Sequence, residues 1–100
     1  MIFIGLRSGS IGDNGSGGHY AFRCSKAEFN MAVKSISIEF AQRGIVAAVL
    51  HLGSVATETR TGGTGIPVDE SVTGMRKVIG GLTAEMSGTF QCFDGGTIEW

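Results

Sequence analysis

The stretch Arg43-Gly44-Ile45-Val46-Ala47-Ala48-Val49-Leu50 decides the fold. Arg43 and Gly44 make a helix stop, a cation beside the last free carbonyls followed by a residue that turns left-handed at no steric cost. The six apolar residues after them do not alternate with polar ones. A strand with one wet face alternates; a strand covered on both faces does not, and that pattern belongs to parallel sheets sandwiched between helices.

Upstream, Tyr20 to Arg43 has helical periodicity. Phe22, Phe29, Val33, Ile36 and Phe40 form one stripe at about 100° per residue. Tyr20, Cys24, Ala27, Met31 and Ile38 form a second stripe on the opposite side. A helix with two apolar faces needs two covers, a sheet on one side and a helix layer or partner chain on the other. Further upstream, residues 2–6 read as a short buried strand. Residues 9–18 are too rich in glycine for a strand or helix interior and form a loop.

Downstream, residues 52–66 are loop-like. Pro67 sits where a first helical turn tolerates it, and Val68, Val72, Met75, Val78, Ile79 and Leu82 mark one face of a second helix. Thr89 to Phe93 reads as a last strand, closed by Asp94-Gly95-Gly96. Strands alternating with helices predict an α/β fold: a three-stranded parallel sheet with two helices, about half of a doubly wound domain, forming a single partial domain over residues 1–100. Right-handed crossovers put both helices on one face unless the strand order reverses.

Bulk properties exclude several classes. The 100 residues are 42% hydrophobic and 17% charged, a composition that packs rather than remaining disordered. A net charge of −1 and the lack of a basic cluster argue against nucleic acid and anionic membranes as partners. Residues 1–7 are too short to span a bilayer and lack the features of a secretory leader. Cys24 and Cys92 read as free, buried thiols of a reducing compartment, so a cytoplasmic location is expected.

The glycine loop before the helix invites comparison with a phosphate cradle. Gly12-Asp13-Asn14-Gly15-Ser16-Gly17 lacks that spacing, and Asp13 repels phosphate. His19 and His51 are isolated and lack metal-ligand spacing, with His51 reading as structural; Asp69, Glu70 and Glu85 form no carboxylate pair. Lys26 lies one helical turn after Phe22. Were that aromatic a tyrosine, the ammonium would favour phenolate and make an acid/base pair. Phenylalanine has no proton to give. By spacing alone the pair reads as a core aromatic beside a lysine whose stem lies along it.

The run Gly17-Gly18-His19-Tyr20-Ala21-Phe22-Arg23-Cys24-Ser25-Lys26-Ala27-Glu28-Phe29-Asn30-Met31 resembles the Y-x-x-x-K region of short-chain dehydrogenases/reductases, most of all the carbonyl-reductase-like subgroup of C-factor and sniffer proteins. The resemblance continues through Lys34–Ile45. His51-Leu52-Gly53-Ser54-Val55-Ala56-Thr57-Glu58 is similar to the family's HPGWVxTD segment, and Val68–Met75 and the residues up to Trp100 also match. It implies the C-terminal half of a Rossmann-like doubly wound sheet and, as ancestral chemistry, NAD- or NADP-dependent oxidoreduction of small carbonyl compounds and alcohols.

The same resemblance places the catalytic tyrosine at Phe22 and the ribose-binding, tyrosine-tuning lysine at Lys26. It assigns nicotinamide and phosphate contacts to Gly53, Val55 and Thr57. The carbonyl-polarising serine falls on Leu6, after Gly5, with Ser8 and Ser10 out of register. Leu52 replaces a proline. The dinucleotide motif T-G-x-x-x-G-x-G lies nowhere in these residues. Tyr20 lies roughly 200° around the helix from Phe22 and is expected to point away from Lys26, a poor substitute for it. The expectation is therefore a truncated or divergent relative, inactive as this chain alone. The alternative is a non-catalytic module that oligomerises through helix 20–43. A product without selected function is a third reading.

Overall fold

The computed structural model describes residues 1–55 and 65–100. Strand β1 (Ile2–Gly5) leads through a 3-10 turn at Arg7–Gly9 and a loop to helix α1 (Tyr20–Glu39). A second 3-10 turn, Ala41–Arg43, precedes β2 (Ala48–His51). Helix α2 (Val68–Gly80), a turn at Ala84–Met86, β3 (Phe90–Cys92) and β4 (Thr97–Ile98) complete it. The sheet order is β1-β2-β3-β4, with the first two pairings parallel and the last antiparallel. This is the expected α/β half-domain plus one strand. The added β4 is two residues long. It folds back through Asp94-Gly95-Gly96, where Gly95 has φ 93° and the Cys92 N–H donates to the Gly96 carbonyl at 2.7 Å.

Central β2 is buried throughout Ala48, Val49 and Leu50, as its unbroken apolar run predicts. Strand alternation assigns its neighbours to faces. Val49 packs with Val33 of α1, Phe90, Cys92 and Ile98, joined by Phe3, Phe29 and Trp100. Phe3 meets Phe29 edge-on at 6.2 Å, and Trp100 stacks on Phe90 at 5.9 Å. Leu50 and its register partner Gln91 point the other way. Gln91 shares a cavity there with Gly74, Lys77 and Val78 of α2.

The helices therefore cover opposite faces, although the strand order does not reverse. The expectation of one shared face fails because the two crossovers have opposite hands. Leu50, with no exposed surface, supplies the reason: the second face of β2 also needs a cover.

α1 ends at Glu39, short of the expected stop at Arg43-Gly44; the 3-10 turn Ala41–Arg43 carries the chain on to Gly44, which turns left-handed at φ 73°. Its inner face buries Asn30, Val33 and Ser37. On the outer stripe Tyr20 is 82%, Met31 68% and Ile38 65% exposed. Cys24 lies on that stripe and is exposed, so only Cys92 is the buried thiol expected of both. In α2 the buried residue is Ser71, whose hydroxyl donates to the Leu52 carbonyl at 2.6 Å, while Val68, Val72 and Ile79 of the expected apolar face are largely exposed. No helix among the described residues is long and apolar enough to cross a membrane.

Candidate functional site

Three parallel strands end side by side, placing Gly5, His51 and Cys92 in one row. In open α/β sheets this carboxyl edge is where ligands bind. The chain leaving β1 turns at once and lies against α1. A Cβ on Gly9 would come within 2.8 Å of the Lys26 backbone, so only glycine permits the approach. Asn30 reinforces it by donating to the Gly9 carbonyl at 3.3 Å. The loop beyond is pinned by the chain's end: Ser10 Oγ donates to the Glu99 carbonyl, and the Gly12 N–H to the Trp100 carbonyl at 2.8 Å. Asp13 meets Arg7 at 3.0 Å, a half-exposed ion pair that adds little stability.

α1 begins abruptly. Gly17, Gly18 and His19 all have positive φ, the last at 51° without the freedom of glycine. A non-glycine residue in that conformation costs on the order of 1 kcal/mol. Three residues on stands Phe22, which is 47% exposed, with the Lys26 Nζ 5.6 Å from its ring centre. The fold thus brings the two sequence-selected residues together, as a cation over an aromatic face, worth about 0.5–1 kcal/mol when exposed. Ser8, His19, Phe22 and Arg23 line a cavity of about 220 Å³.

Around that cavity the chemistry is incomplete. Phe22 has no exchangeable proton, and Leu6, just beyond β1, has no hydroxyl. Ser10 is buried and committed to Glu99. Of Ser8 and Ser10, Ser8 lines the cavity beside Phe22. Tyr20 stands on the exposed stripe. Sequence reasoning missed Arg23, whose guanidinium donates to the Ser8 carbonyl at 3.4 Å and Ser16 Oγ at 3.0 Å, while its buried Nε has no partner. The seven-residue separation of Ser16 and Arg23 carried no signal of that bridge.

On β2's side of the edge, Gly53 has φ 86°, and a Cβ there would meet Ile66 at 2.6 Å and Phe93 at 2.8 Å. Val55 is buried and pairs with Ile66. Thr57 lies outside the described residues. His51 Nδ1 accepts the Arg7 N–H at 3.3 Å, tying the ends of β1 and β2 together. The Arg7 guanidinium reaches Cys92 Sγ at 3.9 Å. Among the described residues no three His, Cys, Asp or Glu side chains converge as metal ligands.

A half-sheet of this order, with a helix on each face and a glycine-tight turn clasping a Phe22–Lys26 pair at its carboxyl edge, is part of a Rossmann-like domain. The chain is similar to the C-terminal half of short-chain dehydrogenases/reductases. No family model matches it. It is 43% identical over 100 residues to the C-signal protein of Myxococcus xanthus, covering all of this chain and 60% of that one. It is 39% identical over 98 residues to 1-hydroxy-2-glutathionyl-2-methyl-3-butene dehydrogenase of Rhodococcus sp. (strain AD45), covering 43% of that protein.

Among solved structures, carbonyl reductase Sniffer of D. melanogaster superposes with a TM-score of 0.91 at 32% identity, covering 99% of this chain and 40% of that one. The NADPH-bound carbonyl reductase from chicken fatty liver gives 0.85 at 37% identity, with 99% and 42% covered. The chain thus spans 60% or less of the length of each of these proteins.

Proposed function

We propose that this chain is a divergent family member whose 100 residues carry no dehydrogenase activity of their own. The observation that carries this reading is Phe22 beneath the Lys26 ammonium: the lysine is in place, and the group it would tune has no proton. Lys26, Gly53, Val55 and Thr57 correspond to contacts at the nicotinamide end of NAD or NADP. They do not fit the whole cofactor, because no glycine-rich motif for the pyrophosphate occurs in the sequence. A cytoplasmic location accords with both cysteines being free.

The test is turnover by the purified chain with aldehyde and ketone substrates and either NADH or NADPH. No substrate-dependent oxidation is expected, and Phe22→Tyr alone restores none. Turnover by the unmodified chain would overturn the proposal.

A second reading rests on the exposed stripe Tyr20, Met31 and Ile38, which is apolar enough to join copies of the chain through α1. Light scattering decides it: a folded monomer at high concentration sinks the homo-oligomer.

A further inference from the structure

We propose that the open edge of β1 docks a second polypeptide, the dinucleotide-binding half of a Rossmann-like domain, which lays a parallel strand beside β1 and a helix over Ile4. Among the described residues β1 pairs only with β2, so its other side presents a row of backbone N–H and C=O groups. Proteins ordinarily blunt such an edge with short strands, charges or proline. The opposite edge of this sheet is blunted in that way: β4 is two residues long, with Asp94 ahead of it and Glu99 directly after it. β1 carries none of these devices. It runs four residues, Ile2-Phe3-Ile4-Gly5, and no charged side chain occurs before Arg7. Ile4 is 50% exposed, on the face of the sheet that Leu50 shares. An apolar strand with an unguarded edge and a half-bare face needs both a neighbouring strand and a cover.

The order of the sheet selects the occupant. In a doubly wound sheet the strands of the second half lie side by side in chain order, and the first of them borders the other half. β1, β2 and β3 lie in chain order and are parallel. Antiparallel β4 closes the far edge, so the parallel sheet can be continued only at β1. The chain superposes on 42% of the NADPH-bound carbonyl reductase from chicken fatty liver, which leaves the larger part of that protein beyond the match.

A second copy of this chain fits the edge less well. Two β1 strands paired antiparallel about a twofold axis would satisfy the backbone groups but set no helix over either Ile4. A Rossmann half does both, because its helices lie on both faces of its sheet. Its strands, parallel to β1, also end at the carboxyl edge. Its phosphate-binding turn would therefore extend the row of Gly5, His51 and Cys92 and supply what this chain lacks. This docking rests on the likeness to reductases and not on the inactivity proposed for the Phe22–Lys26 pair. Turnover is not among its readouts, so the two can fail separately.

The experiment coexpresses the affinity-tagged 100-residue chain with the part of the chicken reductase that precedes its match to this chain. Capture of that part by the reductase's own C-terminal portion sets the reference. A one-to-one complex is expected, with hydrogen exchange of edge-facing amides within Ile2–Gly5 slowed about tenfold. Ile4→Lys sets a charge on the docking face at a position already half exposed, and should cut capture about tenfold or more. Thr97→Lys, exposed on the other edge, should leave capture unchanged. Failure to capture a fragment that the reductase's own portion does capture would overturn the proposal. So would capture that Ile4→Lys leaves intact or that Thr97→Lys abolishes. A dimer of the chain alone that Ile4→Lys dissociates would also overturn it, because a second copy would then hold the edge. Should Ile4→Lys fail to fold, exchange in the unmodified complex decides: unslowed amides in β1 rule out docking there.

Discussion

Ile4 and Leu50 are register partners on neighbouring parallel strands, of nearly equal size and on the same face of the sheet, yet Ile4 is 50% exposed and Leu50 not at all. β1 is the edge strand, and its outer face is only partly covered; β2 is central and covered twice. Composition made both strands apolar, but position in the sheet determined which one the fold buries. The uncovered side of β1 and the exposed stripe of α1 show where this half-sheet has apolar surface left over. The deepest part of the core is complete within the chain.

The largest test of that contrast is a pair of truncations. Leu50→Ala removes a side chain from a site with no exposed surface and should cost about 2–5 kcal/mol. Ile4→Ala should cost about 1 kcal/mol or less, because half of that side chain already meets water. Urea unfolding followed by circular dichroism reads both. Equal losses would mean that β1 is covered in solution, and the contrast would then describe an assembled form rather than the isolated chain.

This pair also shows what the sequence could carry. The unbroken run ending in Leu50 announced a doubly covered strand, although the strand itself begins only at Ala48, after the run's first three residues. Three features were not legible. Strand β4 is two residues long, and Thr97-Ile98 gives too short a pattern to show a period, even though Asp94-Gly95 signalled the turn. The hand of the second crossover depends on which face still needs cover, a property of the assembled sheet. The one fully buried residue of α2 is Ser71, on the Leu52 carbonyl, while the expected apolar stripe divides between half-buried Met75, Val78 and Leu82 and exposed Val68, Val72 and Ile79. At the site, spacing located Phe22 and Lys26. Arg23 and Ser8 join them only because the 3-10 turn folds back onto α1.

A smaller effect separates the two sides of the carboxyl edge. On β2's side, Gly53→Ala forces a side chain into a left-handed conformation and against Ile66 and Phe93. The conformation alone costs about 1–2 kcal/mol; the ends of both side chains can yield part of the space. A loss of about 2 kcal/mol in the unfolding free energy is expected. No loss would show that the loop after β2 relaxes freely, and Gly53 would then be a poor anchor for any ligand at that edge.

The smallest effect is expected at the pair that carries the family resemblance. Lys26→Met keeps the stem of the side chain and removes the charge over Phe22, so it should cost about 0.5–1 kcal/mol of stability. Raising the ionic strength should weaken the wild-type pair and leave the variant unchanged, because only the charged contact is screened. If Lys26→Met were instead as damaging as Leu50→Ala, Lys26 would be holding the Gly9 turn against α1 rather than resting on an exposed ring. The distinction bears on function. A lysine whose removal is nearly free energetically contributes its charge at the Phe22 ring rather than to the stability of the fold.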